Sequence, residues 1–467
     1  MKRYAIFSTP DIAGVASKLR KRPICNARIL GNRLWTITSS WIAASRSLFQ
    51  FPAYTSISRV LILLFLSFTS SFAFGGEYDP VALYLTWTRS PESTMVVRWV
   101  TTTDRTDDTI DYVEQGQTEW HTIQGTHSLL PKNTPYLLHS AEITNLKPET
   151  TYQFRTGSDA VSYKFQTMPI HLISPISFVA GGDMYHDSLE TLHKTNKQAA
   201  LTSPLFALVG GDIAYAADKV FGFLPRWTHP LIDVWVGQKF DRWLEWLVAW
   251  KNDMVTPDGR LIPMLPAIGN HDTSGRFGQT PEEAPFFYAL FPMPGEQGYN
   301  VLDFGNYMSI FLLDSGHTHS IGGQQAAWLA RTLHDREIVP HKFALYHVPA
   351  YPSVHNIKAE IPTQIRKFWV PSFDAYHLTA AFENHEHTYK RTHKIKGGRI
   401  DNTGVLYIGD GGWGVDKPRR PRHLDQKWFL SHVASARHFL FVVVEQEKQT
   451  VTALTPEGAV IDQFSWE

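Results

Sequence analysis

The sequence holds a single cysteine, Cys25, among 467 residues. No intramolecular disulfide can form, and a zinc site built on several thiolates is excluded. Any metal must be held by His, Asp, Asn, Glu or Tyr. An excess of charge is also missing, because Lys+Arg and Asp+Glu both number 44. Bulk charge therefore points to no nucleic-acid scaffold and no membrane surface. A long hydrophobic run is absent as well. The apolar stretch Val60 to Leu66, continuing weakly to Phe74, falls short of the about 20 residues a bilayer span needs. No internal repeat or low-complexity block stands out.

What is present comes in three parts. Residues 1–76 form a basic, serine-rich leader whose only acidic residue before Val60 is Asp11. Arg59 precedes the apolar run, and Ser71-Phe72-Ala73 supplies small residues at the spacing of a signal-peptidase cut. The expectation is an export signal cut near Ala73 and a secreted, periplasmic or cell-surface product. An uncleaved anchor is the alternative. The basic segment before the signal is unusually long, and a translation-start extension is equally consistent with it.

Residues 77–168 read as β-structure. Thr94 to Thr101 is a run of branched and aromatic residues; Asp111–Glu114, His139–Ile143 and Tyr163–Thr167 follow. Leu146-Lys147-Pro148 ahead of Tyr152 suggests a tyrosine corner, where the phenol ties back to nearby backbone. Short strands at regular spacing predict a sandwich like fibronectin type III, with no chemistry of its own and a role in packing, spacing or surface binding.

A linker with prolines at both ends leads to residues 172–467, where strands alternate with helices and predict a layered α/β domain. Helices are expected over Leu189–Ala200, Leu231–Met254 and Gly323–Leu333. The second carries Trp235, Phe240, Trp243, Trp246, Leu247 and Trp250 at helical spacing, the pattern of a helix packed on a sheet. Arg437–Gln446 and Thr450–Leu454 read as a terminal hairpin.

The organising stretch is Phe206 to Tyr215, an apolar run ending in Gly210-Gly211-Asp212 with Tyr215 three residues on. It reads as a buried parallel strand delivering a carboxylate at its C-terminal end, where open α/β sheets carry their sites. One such aspartate is equally well a cap for the next helix. The pattern recurs, however. Apolar strands also end in Asp183, in Asn270 with His271, in His347, and in His385 with His387. Each histidine alone is more simply a packed or solvated one. Together these groups would crowd one sheet edge with charge unless a cation organised them. Mixed carboxylate, amide and imidazole donors suit Fe, Mn or Zn, and they are too many for one ion.

The ordered motifs resemble the metallophosphoesterase superfamily and, within it, the purple acid phosphatases. Gly211-Asp212-Ile213-Ala214-Tyr215 and Gly269-Asn270-His271-Asp272 match that pattern in full; His347 to Tyr351 and His385-Glu386-His387 resemble its later motifs. The resemblance covers about residues 80–467. It implies a metallophosphoesterase-type layered sheet domain (α/β/β/α) behind an all-β, fibronectin III-like sandwich. It also implies two metal ions, Fe(III) with Zn, Mn or Fe(II). Asp183, Tyr215 and His387 would hold the ferric-type ion; Asn270, His347 and His385 the divalent one; Asp212 would bridge. His271 would touch phosphoryl oxygens, and His355 would be a second proton donor. The implied reaction is hydrolysis of small phosphate monoesters, as by an acid phosphatase.

Two positions depart from the pattern. Tyr185 stands where the family has Gly, so it must point away or alter the first metal site; competition by His186 beside it as a ligand is the lesser alternative. Asn384 replaces a second Gly. The short spacing from His347 to His355 bears on the second proton donor. Two other functions stay open at this stage: a phosphodiesterase on the same site, and a binding protein whose site has decayed. The loop Phe221 to Trp227 does not discriminate between substrates. Oligomeric state is likewise open.

Overall fold

The computed structural model describes residues 79–157, 160–219, 235–275, 277–293 and 297–467. The expected leader and export signal, and the loop Phe221 to Trp227, lie outside the described residues.

The N-terminal portion is a two-sheet sandwich. Its strands are β1 (Ala82–Thr86), β2 (Met95–Thr102), β3 (Thr109–Glu114), β4 (His121–Gln124), β5 (Thr126–Leu129), β6 (Tyr136–Ile143), β7 (Thr151–Arg155) and β8 (Tyr163–Gln166). They pair as β1-β2-β6-β5 and β4-β3-β7-β8, and all these pairings are antiparallel. Side chains alternate across each strand, so Leu83, Leu85, Val97, Trp99, Ile110, Phe154 and Phe165 meet in one core. Fully burying each large one contributes roughly 1.5–3 kcal/mol. The tyrosine corner forms as expected: the Lys147 N–H donates to the Tyr152 hydroxyl at 2.9 Å.

The second portion stacks two sheets face to face. Its first strands are β9 (Ile176–Gly181), β10 (Phe206–Val209), a small antiparallel pair β11 (Ala217–Lys219) with β12 (Trp235–Gln238), and β13 (Met264–Pro266). Then come β14 (Asn300–Phe304), β15 (Met308–Leu312), β16 (His341–Leu345), β17 (Ala380–Glu383), β18 (Tyr389–Thr392), the short hairpin β19 (Ile395–Lys396) and β20 (Arg399–Ile400), and β21 (Leu406–Gly409). The last are β22 (Leu430–Ala434), β23 (Phe439–Val444), β24 (Gln449–Leu454) and β25 (Val460–Trp466). One sheet runs β13-β10-β9-β23-β24-β25 and the other β14-β15-β16-β17-β21-β18-β22. Within them, β9, β10 and β13 are parallel, and so are β15, β16, β17 and β21.

Period-two alternation explains the layering. Phe178 and Ala180, Phe206 and Leu208, Ile310 and Leu312, Phe343 and Leu345, Phe382, and Leu406 and Ile408 all face the space between the sheets. Their neighbours face outward. Val179, Ala207 and Val209 pack under α1 (Leu189–Leu201) and α2 (Phe240–Asp253). Phe311, Ala344, Tyr346, Ala381 and Tyr407 pack under helices at Gln324–His334, Glu360–Phe368 and Val370–Ala375. The order is helix, sheet, sheet, helix. Both parallel sets therefore deliver their C-terminal ends to the same region.

The aromatic stripe behaves as a packed helix face: Trp243, Trp246 and Leu247 are fully buried. Its helix begins at Phe240, however, and not at Leu231. Trp235 to Gln238 pair with β11 instead, with Ala217 opposite Gln238. Gly237 weakens helix formation there, and strand pairing overrides the pattern.

The described residues form one compact unit. The sandwich docks through Trp87, whose ring meets Phe206 and Phe304 at 6.1 and 5.9 Å, and through the Tyr84 hydroxyl, which donates to the Leu290 carbonyl at 2.6 Å. Among the described residues no helix is long and apolar enough to cross a membrane.

Candidate metal centre

Each parallel strand ends in a turn that re-aims a polar side chain between the sheets. Several of these turns hold non-glycine residues in the left-handed region: Asp183, Asp212, Tyr215, His385 and His387 have φ of 58°, 50°, 48°, 78° and 58°. Such backbone costs of order 1 kcal/mol per residue and persists where the surroundings impose it, which is common at functional sites. Glycines make room for the turns. A Cβ on Gly411 would sit 1.9 Å from Asp183 Oδ2.

Two groups of side chains result. In the first, Tyr215 donates its hydroxyl proton to Asp183 Oδ1 at 3.0 Å, and the same hydroxyl lies 3.0 Å from His387 Nε2. His387 Nε2 is 2.9 Å from Asp183 Oδ1. In the second, His347 Nε2 faces Asp212 Oδ2 at 3.2 Å, Asn270 Oδ1 at 3.2 Å and His385 Nδ1 at 3.1 Å. The His347 Nδ1–H donates to the Gly210 carbonyl at 2.9 Å, which fixes the ring and aims Nε2 inward. Asp212 Oδ1 accepts the His271 N–H at 2.7 Å. All seven ligand positions expected from the sequence thus converge, and Asp212, His347 and His385 are close enough to share one ion.

The electrostatics follow from burial and crowding. Burial raises the Asp212 carboxyl, but His347, His271 and His385 outweigh it and hold it well below the usual range. Burial lowers His347, yet Asp212 and Asp183 push it up to about 9. Burial and then His347 push His385 well down. Burial, then Asp183 and Asp212, drive the Tyr215 phenol well up. Several inward-facing acceptors around one imidazole nitrogen, with a proton shared between them, is the arrangement a cation would relieve. The donor set fits borderline metals.

The two candidate proton donors flank this centre differently. His271 stacks on Tyr215 with ring centroids 4.5 Å apart, and burial lowers its pKa. His355 is half exposed and stacks on His385 at 5.3 Å; its Nδ1 is held by Glu386 Oε1 at 2.5 Å. A cavity of about 690 Å³ opens beside His355 and His385, with Phe277, Gln279, His319 and Ile361 also in its wall.

The departures have structural answers. Tyr185 points away from the centre. Its hydroxyl donates to Glu245 Oε2 at 2.7 Å, and the Arg242 guanidinium lies 3.8 Å over its ring. Asn384 packs across two glycines: a Cβ on Gly210 would lie 2.0 Å from its Nδ2, and that Nδ2 donates to the Tyr346 carbonyl at 3.0 Å. His186 packs edge-on against Tyr215 and His387, at 4.9 and 5.2 Å, and pairs with Asp187 at 2.8 Å.

Sequence reasoning missed the groups that hold this centre in place. Asp272 accepts N–H bonds from Ile213 at 2.8 Å and Gly269 at 2.9 Å, tying two of the turns together. Its adjacency to His271 was visible, but its partners were not. Asp314 accepts from His317 and Thr318 backbone at 2.6 and 2.8 Å. Behind His347 and His385 lies a wholly buried network of Lys390, Glu383 and Asp410. No spacing signal announced it.

Comparison with known proteins agrees with this geometry. The model of the purple acid phosphatase N-terminal domain matches residues 80–167. Purple acid phosphatase 18 of Arabidopsis thaliana is 24% identical over 64% of this chain and 64% of its own length. An uncharacterized protein of Mycobacterium tuberculosis is 24% identical over 61% of this chain and 60% of its own. The chain thus spans under two thirds of these relatives. Among solved structures, the purple acid phosphatase from yellow lupin seeds superposes with a TM-score of 0.62 at 15% identity, covering 83% of this chain and 74% of that one. The structure of PhoD gives 0.61 at 11% identity, covering 83% and 90%. These likenesses show the shared fold. The domain match over residues 80–167, the relatives and the shared architecture together support the purple acid phosphatase branch of the metallophosphoesterases for this chain.

Proposed function

We propose that this chain is an exported, dinuclear metal-dependent phosphoesterase that hydrolyses small phosphate monoesters. The observation that carries the reading is the convergence of two donor groups, from the ends of two facing sheets, on one buried region. Asp183, Tyr215 and His387 would hold one ion; Asn270, His347 and His385 the other; Asp212 would serve both. A bound pair of cations supplies charge that activates water and neutralises the phosphoryl oxygens. The chain's own residues do the rest. His271, held neutral by burial, donates a hydrogen bond to a phosphoryl oxygen. His355, fixed by Glu386 at the mouth of the cavity, delivers a proton to the leaving alcohol. The Gly210 carbonyl keeps His347 in the tautomer a ligand needs. The sandwich of residues 77–168 serves as the scaffold against which the catalytic domain of residues 172–467 packs.

The decayed-site reading loses its ground because Tyr185 is engaged with Glu245 and Arg242 outside the centre. The test is turnover of an aryl phosphate monoester against the matching diester, on metal-analysed protein with Asp212→Asn beside it. Monoester turnover lost in the variant is expected. A diester preference would move the assignment to phosphodiesterase. Absence of both turnover and metal would overturn it. N-terminal sequencing of the mature chain tests export, with a start near residue 74 expected.

A further inference from the structure

The sandwich holds a second cluster of ligating side chains, distant in the chain from the candidate metal centre. His127 on β5 and His139 on β6 are directly opposite in register, so both side chains leave the same face of the sheet. Asp108 stands just before β3 of the other sheet, and its carbonyl accepts the Gly125 N–H at 2.9 Å, beside the start of β5. Its Oδ1 lies 2.6 Å from His139 Nδ1, and its Oδ2 lies 2.8 Å from His127 Nδ1. His139 is fully buried and stacked on Trp99 with centroids 4.9 Å apart.

Counting protons shows what is missing. The Thr101 hydroxyl sits 3.0 Å from the carbonyls of Thr102 and Arg105. A carbonyl only accepts, so the single hydroxyl hydrogen is committed there. Thr101 Oγ1 therefore meets His139 Nε2, 2.8 Å away, as an acceptor. That places the ring proton on Nε2. The neutral ring then turns a bare Nδ1 lone pair onto a carboxylate oxygen at 2.6 Å. Two acceptors do not rest at that separation without positive charge between them.

We infer that Asp108, His127 and His139 form a divalent cation site of zinc type that cross-links the two sheets of the sandwich. Two imidazoles and one carboxylate are a common set for such ions, and three protein ligands leave one position open. The partly exposed side of His127 provides that opening. The Thr101 hydroxyl is the outer partner that fixes the ring of a ligating histidine. The site also has a structural purpose. β5 is exposed along its whole length and, among the described residues, pairs with β6 alone. A chain with one cysteine has no internal disulfide to hold such an edge. A cation bound to Asp108 and His127 would tie it to the opposite sheet.

The test is zinc titration of the chelator-stripped full chain in competition with a chromophoric chelator of micromolar affinity. Wild type is compared with His127→Gln and with the ligand-preserving His127→Asp. Wild type is expected to take up one more equivalent than His127→Gln, and His127→Asp to recover it. Hydrolysis by the loaded catalytic centre should be unchanged in all three, which separates this site from that one. Equal zinc stoichiometry in wild type and His127→Gln would overturn the inference. Should His127→Gln fail to fold, Thr101→Val replaces it. That variant is expected to weaken the tightest remote equivalent at least tenfold, and an unchanged affinity would overturn the inference equally.

Discussion

Replacing Lys390 by methionine tests whether the buried network behind the centre matters as much as its geometry implies. Lys390 and Glu383 have side chains wholly withdrawn from solvent, with Nζ 2.6 Å from Glu383 Oε2. Nζ also donates to the Tyr351 carbonyl at 2.6 Å and lies 3.6 Å from Asp410 Oδ2. Burial raises the Asp410 carboxyl well above its usual range, against the pull of Lys390 and with added repulsion from Glu386 and Glu383. The close ion pair of the network is therefore Lys390 with Glu383. Methionine has similar length but no charge, and would leave Glu383 buried and unpaired. Breaking a buried pair in this way costs about 3–5 kcal/mol. The loss should also reach the centre. Glu383 Oε1 accepts from the Tyr346 hydroxyl and the Ala350 N–H, both at 2.6 Å, on either side of His347. The assay is urea unfolding of the metal-loaded chain, followed by tryptophan fluorescence, alongside metal content. Lys390→Met should lower stability by that amount and weaken metal retention. Adding Glu383→Gln should recover about half, because the stranded charge is gone. A cost below about 1 kcal/mol, or no recovery in the double variant, would refute the reasoning.

Two further outcomes follow from the same structure. Burial pushes His317 and His438 down to about 4, whereas an unfolded histidine takes its proton near pH 6.5. Their contribution to stability is complete above about pH 6.5 and is lost as pH falls from there through 4, by up to about 3 kcal/mol each. Thermal midpoints measured across that window should fall less steeply in a His317→Gln, His438→Gln double variant; an identical slope would exclude this origin. Tyr185→Phe should cost about 1–2 kcal/mol through the lost bond to Glu245 and leave metal content and turnover within about twofold. Loss of a metal equivalent would show that Tyr185 acts on the centre after all.

The layered α/β half was legible because each of its signals is local. Phe206 to Val209 is apolar, and Gly210, Gly211 and Asp212 follow it at once. Strand, turn and ligand sit within one window, and the topology brings the windows together. The Asp108, His127 and His139 cluster was not legible, because it joins residues 19 and 31 positions apart on two different sheets. Only the register of β5 on β6 makes them neighbours. Lys390 and Glu383 are seven apart, on strand β18 and at the end of β17, where a Lys ordinarily reads as solvated. Strand β25 escaped for a related reason: its inward face is only half-buried, so its alternation is weak. Trp235 was misplaced because a tertiary pairing with Ala217 to Lys219 outranked helical spacing.

The candidate ligand side chains are shared between two sheets, and that makes the distance between the sheets a calibrated length. Phe178 stacks on Phe206 at 4.9 Å, Phe206 on Phe304 at 5.0 Å, and Phe178 meets Phe343 and Phe382 across the gap at 5.8 Å each. These rings act as a gauge block. Asp183, Asp212 and Asn270 hang from one side of it, and His347, His385 and His387 from the other. Trimming one ring by a few atoms would bring the two jaws of the centre closer or tilt them, with no contact to any ligand. The geometry of the candidate centre can therefore drift through substitutions in the greasy interior, and a mutational scan would find altered metal retention at rings that touch no candidate ligand.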